Sequence, residues 1–384
     1  MRLDGKRGAG LRGALALLFI AGAGGAAYAF AKRDAAPPPA LESVLLKGTS
    51  ADLTAVAPPA PAPAAPEKAP PAGKVVETGT MKAGDKNAPA AAPKPPEASA
   101  SDVAALAAEG ETALAKGDER LGLLLLRKAA KTVASPEQKA AAARLGAIAT
   151  AALVDADKAK EAGDLSAERA ALSRAFFAQL DREARKPLRE RLDDLVKKLV
   201  FTTRATPDGD IYVVKPGDRL IHIARSNKTT WAFIKRVNGL KTDAIRSGQK
   251  LKIPKGQVDL AVWKSDFMLI ATIGGRYLKA WDVGTGRDDR TPESTFKIAE
   301  RIEKPTWYSP DGKVYPFGEK ENILGTRWLG FERTEEFSGF GIHGTAFPDT
   351  IGTEASMGCI RMRNENVEEV YDLVSEGAEV RIVR

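Results

Sequence analysis

Apolar residues along this 384-residue chain change their spacing several times, and each change marks a different kind of segment. Gly13 to Ala31, "GALALLFIAGAGGAAYAFA", is an uninterrupted apolar or small run, preceded by Arg2, Lys6, Arg7 and Arg12 and closed by Lys32 and Arg33. From Asp34 to about Ser101 the chain is rich in proline and alanine, as in "APPAPAPAAPEKAPPAG", and too poor in apolar area to offset its ordering entropy. Residues 102–203 return to apolar positions at spacings of three and four. "DVAALAAEGETALAKGD", "ERLGLLLLRKAAKTVA", "SPEQKAAAARLGAIATAALVDADKAKEAGD", "LSAERAALSRAFFAQLD" and "DREARKPLRERLDDLVKKLVF" predict successive helices. Gly117-Asp118 and Gly163-Asp164 punctuate them, and Ser135-Pro136-Glu137 is a helix start with proline in the first turn. Residues 211–254 predict a strand, two short helices and a closing strand, with Leu220, Ile223, Ala224, Trp231, Ile234 and Val237 turned inward. Beyond Gln257, "VDLAVWKSDFMLIATIGGRYLKAWDVGTG" alternates and bends at Lys264-Ser265-Asp266 and Gly274-Gly275, as a β-meander does. "STFKIAERIEKPTW" and "TRWLGFE" add strands, and "NENVEEVYDLV" a glycine-capped helix before the last strand "GAEVRIVR". The expected architecture is therefore multidomain: an N-terminal signal or anchor helix (1–33), a disordered Pro/Ala linker (34–101), an α-helical repeat-like region (102–203), a small βααβ domain (211–254) and a mostly-β domain (257–384).

Length and composition agree with two to four units, since single cores stop growing well below this size. The first segment reads as an export signal. It is either cleaved near "AYA", Ala27 to Ala29, or retained as an inner-membrane anchor, because its apolar run approaches the ~20 residues of a membrane-spanning helix. Either way the expected location is the cell envelope or periplasm. A formal net charge of +8 favours anionic surroundings such as headgroups or envelope polymers. No Lys/Arg block with interleaved aromatics points to nucleic acid. The linker reads as a tether, giving distal domains reach or serving as a passive spacer.

In the helical region, "KGDERLGLLLLRKAA" is partly echoed by "AGDLSAERAALSRAF", so the region resembles two tetratricopeptide-like hairpins. A protein-binding surface and a plain helical spacer are equally open readings, and no catalytic constellation is visible there. The 211–254 unit is more specific: "YVVKPGDRLIHIA", "VNGL" and "IRSGQKLKIP" fall in the order and spacing of the lysin motif, and the segment resembles that family (LysM). The resemblance implies binding of N-acetylglucosamine-containing glycans such as peptidoglycan, in a groove between Gly217, Asp218 and Arg219 on one side and Thr242, Asp243, Ala244 and Ile245 on the other. Those residues also suit plain turns and caps, and His222 suits a surface position.

One cysteine occurs in the whole chain, Cys359 in "SMGCIRMR". In an exported protein it is an intermolecular bridge, an inert thiol or a reactive one. A reactive thiol needs a basic neighbour, and of two histidines only His343, in "GFGIHGTAFPD", shares its domain. Gly341, Gly344 and Gly358 allow close backbone approach and amides aimed at an oxyanion. One Cys and one His leave too few ligands for a zinc site, and no cofactor is implied.

"IHGTAFPDTIGTEASMGCIRM", Ile342 to Met362, resembles the signature of the L,D-transpeptidase family (YkuD, or ErfK/YbiS/YcfS/YnhG), with supporting blocks in "TPESTFKI", "KPTWYSP" and "NILGTRWLGF". The resemblance covers about Val258 to Arg384. It implies Cys359 as nucleophile, His343 as base, the Gly344 carbonyl as the group orienting the imidazole, and amides of Gly358 and Cys359 as oxyanion donors. Arg361 is expected to brace the loop or contact a stem carboxylate, with Ser356 and Thr345 as secondary polar groups. The implied reaction joins peptidoglycan stem peptides through a thioester; transfer to water would make an L,D-carboxypeptidase, and a degenerate site a wall-binding scaffold. Three departures stand out: Met357 where many relatives carry histidine, Glu293-Ser294 in place of a glycine-containing turn, and Ile323 where proline is common. "SPDGKVYPFGEKE" is also unusual, over the expected substrate cleft.

Overall fold

The structure is a computed structural model and describes residues 99–384. The expected signal or anchor segment and almost all of the linker lie outside the described residues. Among those described, no helix is long and apolar enough to cross a membrane.

Five helices come first: α1 (Ala100–Ala115), α2 (Glu119–Lys131), α3 (Pro136–Glu161), α4 (Leu165–Ala178) and α5 (Arg182–Leu199). Their starts follow from local chemistry. Ser99, Asp118, Ser135, Asp164 and Asp181 each accept a hydrogen bond from a first-turn amide, satisfying donors the helix cannot. The α1/α2 and α3/α4 pairs form two helical hairpins, with α5 packed on α4.

The small domain is β1 (Gly209–Val213), α6 (Leu220–Ser226), α7 (Trp231–Val237) and β2 (Lys250–Pro254), with β1 and β2 antiparallel. Val214, Leu220, Ile223, Ala224, Ile234, Leu251 and Ile253 form its own core. Trp231, expected inside, is 36% exposed. It opens α7, and Phe233 takes the buried place, while the Lys235 ammonium lies 5.6 Å from the indole centroid. His222 is exposed.

The last domain contains β3 (Val258–Trp263), β4 (Met268–Ile273), β5 (Arg276–Asp282), β6 (Thr285–Gly286), β7 (Thr295–Glu303), β8 (Trp307–Tyr308), β9 (Val314–Tyr315), β10 (Arg327–Phe331), β11 (Gly341–His343), β12 (Glu354–Ser356), β13 (Ile360–Arg361), α8 (Asn364–Leu373) and β14 (Glu379–Val383). Eight strands form one sheet in the order β13-β11-β10-β7-β14-β3-β4-β5, in which β14 runs parallel to β3 and β11 to β13. The helix α8 stops at Val374, so Gly377 shapes the turn into β14 rather than capping the helix.

The alternating pattern of the meander predicts that β3 and β4 turn alternate residues to core and solvent. Instead every residue of β4 is buried, and β3 nearly so. The continuous run "MLIATI" fits a strand covered on both faces. The second cover is the helical region. Phe176 of α4 stacks on Trp263 of β3 with centroids 5.9 Å apart, and Phe177 meets the same indole edge-on at 5.8 Å. The Arg127 guanidinium sits 3.7 Å over that ring and pairs with Asp266, which also takes Arg185 at 2.8 Å. A second buried pair joins Arg169 to Asp208, and Arg169 also donates to the Tyr277 carbonyl at 2.8 Å. The small domain is tied in as well: Lys252 Nζ donates to the Thr206 hydroxyl at 2.7 Å and to the Leu199 carbonyl, while Arg236 pairs with Glu369 on α8. The helices expected as a spacer or a binding surface thus share one core with the eight-stranded sheet.

Burial pulls Arg127 down to about 9, and the neighbouring Asp266 carboxylate opposes that pull. Replacing Asp266 with alanine would strand Arg127 and Arg185 in the core, an expected loss of about 3–5 kcal/mol. Urea unfolding of Asp266→Ala measures it; a loss no larger than that of an exposed pair would mean the joint contributes little.

Candidate active site

The region around Cys359 is assembled from short pieces that the sheet edge brings together. Cys359 lies between β12 and β13, and its strand runs parallel to β11 with Ile360 opposite Ile342 and Arg361 opposite His343. Cys359 thus immediately precedes the edge strand β13, His343 ends the strand next to it, and the thiol donates to the Gly339 carbonyl at 3.7 Å. His343 Nδ1 lies 2.6 Å from the Gly344 carbonyl oxygen. A carbonyl only accepts, so Nδ1 carries the proton and Nε2 holds a free lone pair. Trp328 stacks on the imidazole at 6.0 Å and donates through Nε1 to Glu300 at 2.9 Å.

The loop before Cys359 is held at both ends. Ser356 Oγ donates to the Cys359 carbonyl at 2.6 Å and accepts the Gly358 amide at 3.1 Å. Ser356 is thus a brace, and the Gly358 amide is engaged inside the loop. Gly358 itself has φ +137°, and a Cβ there would lie 2.6 Å from Phe340. Only glycine fits both conditions.

Two braces were not legible in the sequence. Thr291, buried, donates to the Gly358 carbonyl at 2.8 Å and accepts the Gly286 amide at 2.7 Å. Asn364, the first residue of α8, accepts amides from Thr345 and Thr326 and returns a bond to the Thr345 carbonyl, each at 3.2 Å. A Cβ on Gly344 would stand 2.2 Å from that Asn364 oxygen, so the residue after His343 must be glycine. Thr345 in turn accepts the Phe347 amide through its hydroxyl at 2.9 Å. Thr291 opens "TPESTFKI", a block that the family resemblance marked without giving its threonine a role, and Asn364 lies in a block expected only as helix, so neither carries a local signal of these contacts.

Arg361 exchanges both backbone hydrogen bonds with Gly284 at 2.9 Å and has no ion pair among the described residues. Of the expected glycan residues, Asp218 accepts Tyr212 Oη and the Lys215 amide, both at 2.8 Å, and so braces its own turn with Gly217 and Arg219. Asp243 pairs with Lys235 at 2.9 Å, Ala244 is exposed, and Ile245 leans on the small domain's core. None of these belongs to the Cys359 cluster. No group of three His, Cys, Asp or Glu residues is placed to hold a metal ion among the described residues.

Electrostatics keep both reactive groups uncharged at neutral pH. Burial lowers His343 to about 4; the Gly344 hydrogen bond opposes this and the Arg361 charge adds to it. Burial raises Cys359 to about 11, with the Gly341 backbone and Arg361 pulling it back. A neutral thiol beside a neutral imidazole can act by proton transfer during attack, without a resting ion pair.

Residues 257–382 match the L,D-transpeptidase catalytic domain family and residues 212–254 the LysM domain family. Putative L,D-transpeptidase YkuD of Bacillus subtilis is 30% identical over 181 residues, covering 45% of this chain and 98% of that protein; its Bacillus licheniformis counterpart is 31% identical over 176 residues, with the same coverage. The chain belongs to the L,D-transpeptidase family. Putative L,D-transpeptidase YqjB of Bacillus subtilis is 36% identical over 104 residues, and the match spans 57% of its length and 27% of this chain. Among solved structures, the L,D-transpeptidase from Mycobacterium smegmatis aligns over 36% of this chain and 64% of that one, with 19% identity and a TM-score of 0.29. As in the family signature, the L,D-transpeptidase domain here carries its cysteine and histidine in "SMGCIR" and "IHGT".

The pKa directions set a testable profile. Cys359 alkylation by iodoacetamide should keep accelerating as pH rises toward about 11, whereas a plateau near the ordinary value of 9.0 would contradict the burial argument. His343 is depressed in the fold, so its contribution to stability is intact above about 6.5 and is lost as pH falls through about 4.

Proposed function

We propose that this protein is an envelope-tethered acyltransferase of peptidoglycan that forms cross-links between stem peptides through a thioester on Cys359. The observation that carries the reading is the His343 Nδ1 bond to the Gly344 carbonyl, which leaves Nε2 as a base on the strand beside the thiol. In the first step His343 Nε2 takes the thiol proton and Sγ attacks the carbonyl between the diamino acid and the terminal D-alanine. The Cys359 amide faces the oxyanion that forms, because the Gly358 amide is spent on Ser356. Collapse breaks the C–N bond, and His343 returns its proton to the departing D-alanine amine.

In the second step the side-chain amine of another stem's diamino acid gives a proton to His343 and attacks the thioester. The new amide forms, and the thiolate leaves and regains that proton. Water in place of the amine gives a trimmed tripeptide. The LysM domain holds glycan strands while the neighbouring body works on the stems, and the N-terminal segment, as anchor or export signal, puts both in the envelope. The faces of α2, α4 and α5 are spent on the sheet, so any protein partner of the helical region meets α1 and α3.

Incubation of the full chain with disaccharide-tetrapeptides, followed by mass spectrometry of the muropeptides, tests this. A dimer linked between two diamino acids supports transpeptidation, and tripeptide without dimer moves the reading to a carboxypeptidase. Cys359→Ala should abolish both products and still bind sacculi; unchanged products would point to a scaffold carrying a contaminating activity.

A further inference from the structure

Two arginines stand beside the loop that carries Cys359 without an acid to neutralise them among the described residues. Arg361 lies on β13, two residues after Cys359, and its Nε is buried with no hydrogen-bond partner among the described residues. Arg287 comes directly after Gly286, where a Cβ would press to 2.8 Å on Gly358 Cα. Gly286 is also in register with Ser356, so Arg287 leaves the β6/β12 pair at the level of the loop that carries the thiol. The two guanidiniums sense each other: burial lowers Arg361, the Cys359 sulfur opposes the change, and Arg287 lowers it further.

The surrounding acids are committed elsewhere. Asp288 pairs with Arg290 at 3.7 Å, Asp289 with Lys264 and with Arg384 at 2.8 Å, and Glu293 with Lys128 at 3.3 Å. Asp288 and Asp289 adopt φ of +54° and +60°, an uncommon left-handed pair for residues with a Cβ. That turn points both carboxylates into other ion pairs and leaves Arg287 exposed and unpaired among the described residues. Like charges held together with no counter-ion are costly, and a carboxylate that enters between them removes the cost and gains charge-assisted hydrogen bonds.

We propose that Arg287 and Arg361 form a carboxylate-binding subsite that takes the terminal carboxylate of the donor peptide and thereby sets donor length. The inference rests on the acyl-transfer reading above. In a tetrapeptide donor that carboxylate is separated from the attacked carbonyl carbon only by the leaving nitrogen and its Cα. One more residue moves it about 3.5 Å further out, past a pair that the β6/β12 register sets at the level of the loop carrying the thiol. Arg287 is then a specificity residue that contacts substrate.

The test measures the rate of acyl-enzyme formation by intact-protein mass spectrometry, with the full chain and synthetic tetrapeptide stems carrying either a free terminal carboxylate or a terminal carboxamide. Arg287→Gln should raise KM for the free acid by about ten- to a hundredfold, the range of a charge-assisted contact, with little change in kcat. Amidation should cost the wild type a similar factor and cost Arg287→Gln almost nothing, and Arg287→Lys should recover part of the loss. Equal losses on both substrates, or a wild type indifferent to amidation, would overturn the subsite and leave the acyl-transfer reading standing. Sensitivity of the wild type to amidation of the diamino acid's side carboxylate alone would overturn the terminal assignment. Absence of acylation with any stem peptide would overturn both.

Discussion

The rest of the structure depends on one buried contact, the indole of Trp263 held between the Phe176/Phe177 pair and the Arg127 guanidinium, with Asp266 binding Arg127 and Arg185 just beyond it. Charges that deep are tolerated only when paired and hydrogen-bonded, which fixes where α2 and α5 meet the β3/β4 turn. Fixing that turn fixes the sheet, because β3 lies between β4 and β14, and β14, β7, β10 and β11 follow in order to the edge where His343 and Cys359 sit. The same helix α2 reaches the active-site side through Lys128 and Glu293, two residues from Thr291, which holds Gly358. Glu293, a departure from the family's glycine turn, thus has a role as an ionic anchor for the helical region.

At the site itself, geometry matters more than resting charge. The Gly344 carbonyl selects the imidazole tautomer, Asn364 leaves room after His343 only for glycine, and Ser356 with Thr291 sets the path of the nucleophile loop. Burial keeps thiol and imidazole neutral, so on the proposed acyl transfer the proton moves only as the thiol attacks. Such a site is protected from idle oxidation at the cost of a slow thiol in isolation.

Much of this was legible in the chain because it rests on local rules. The helix start at Ser135, the break at Gly163-Asp164, the LysM blocks and the "IHGT" and "SMGCIR" signatures each carry their meaning within a few residues. What escaped was long-range. Nothing near Trp263 announces that Phe176 and Arg127 will cover it, and the buried outer face of β4 showed only as a run without polar breaks. Thr291, Asn364 and Arg287 likewise gain their meaning from residues far along the chain. Trp231 went the other way, an aromatic at helical spacing that stands half-exposed because Phe233 fills the core.

The proposed acyl transfer requires that Cys359 become acylated by a stem peptide. The most direct measurement is the mass of the intact protein trapped during turnover with a tetrapeptide, followed by proteolysis to locate the added group. A tripeptide acyl group on the peptide containing Cys359, released by hydroxylamine as a thioester, is the predicted result. An adduct on another residue, or turnover by Cys359→Ala with no adduct at all, would contradict it.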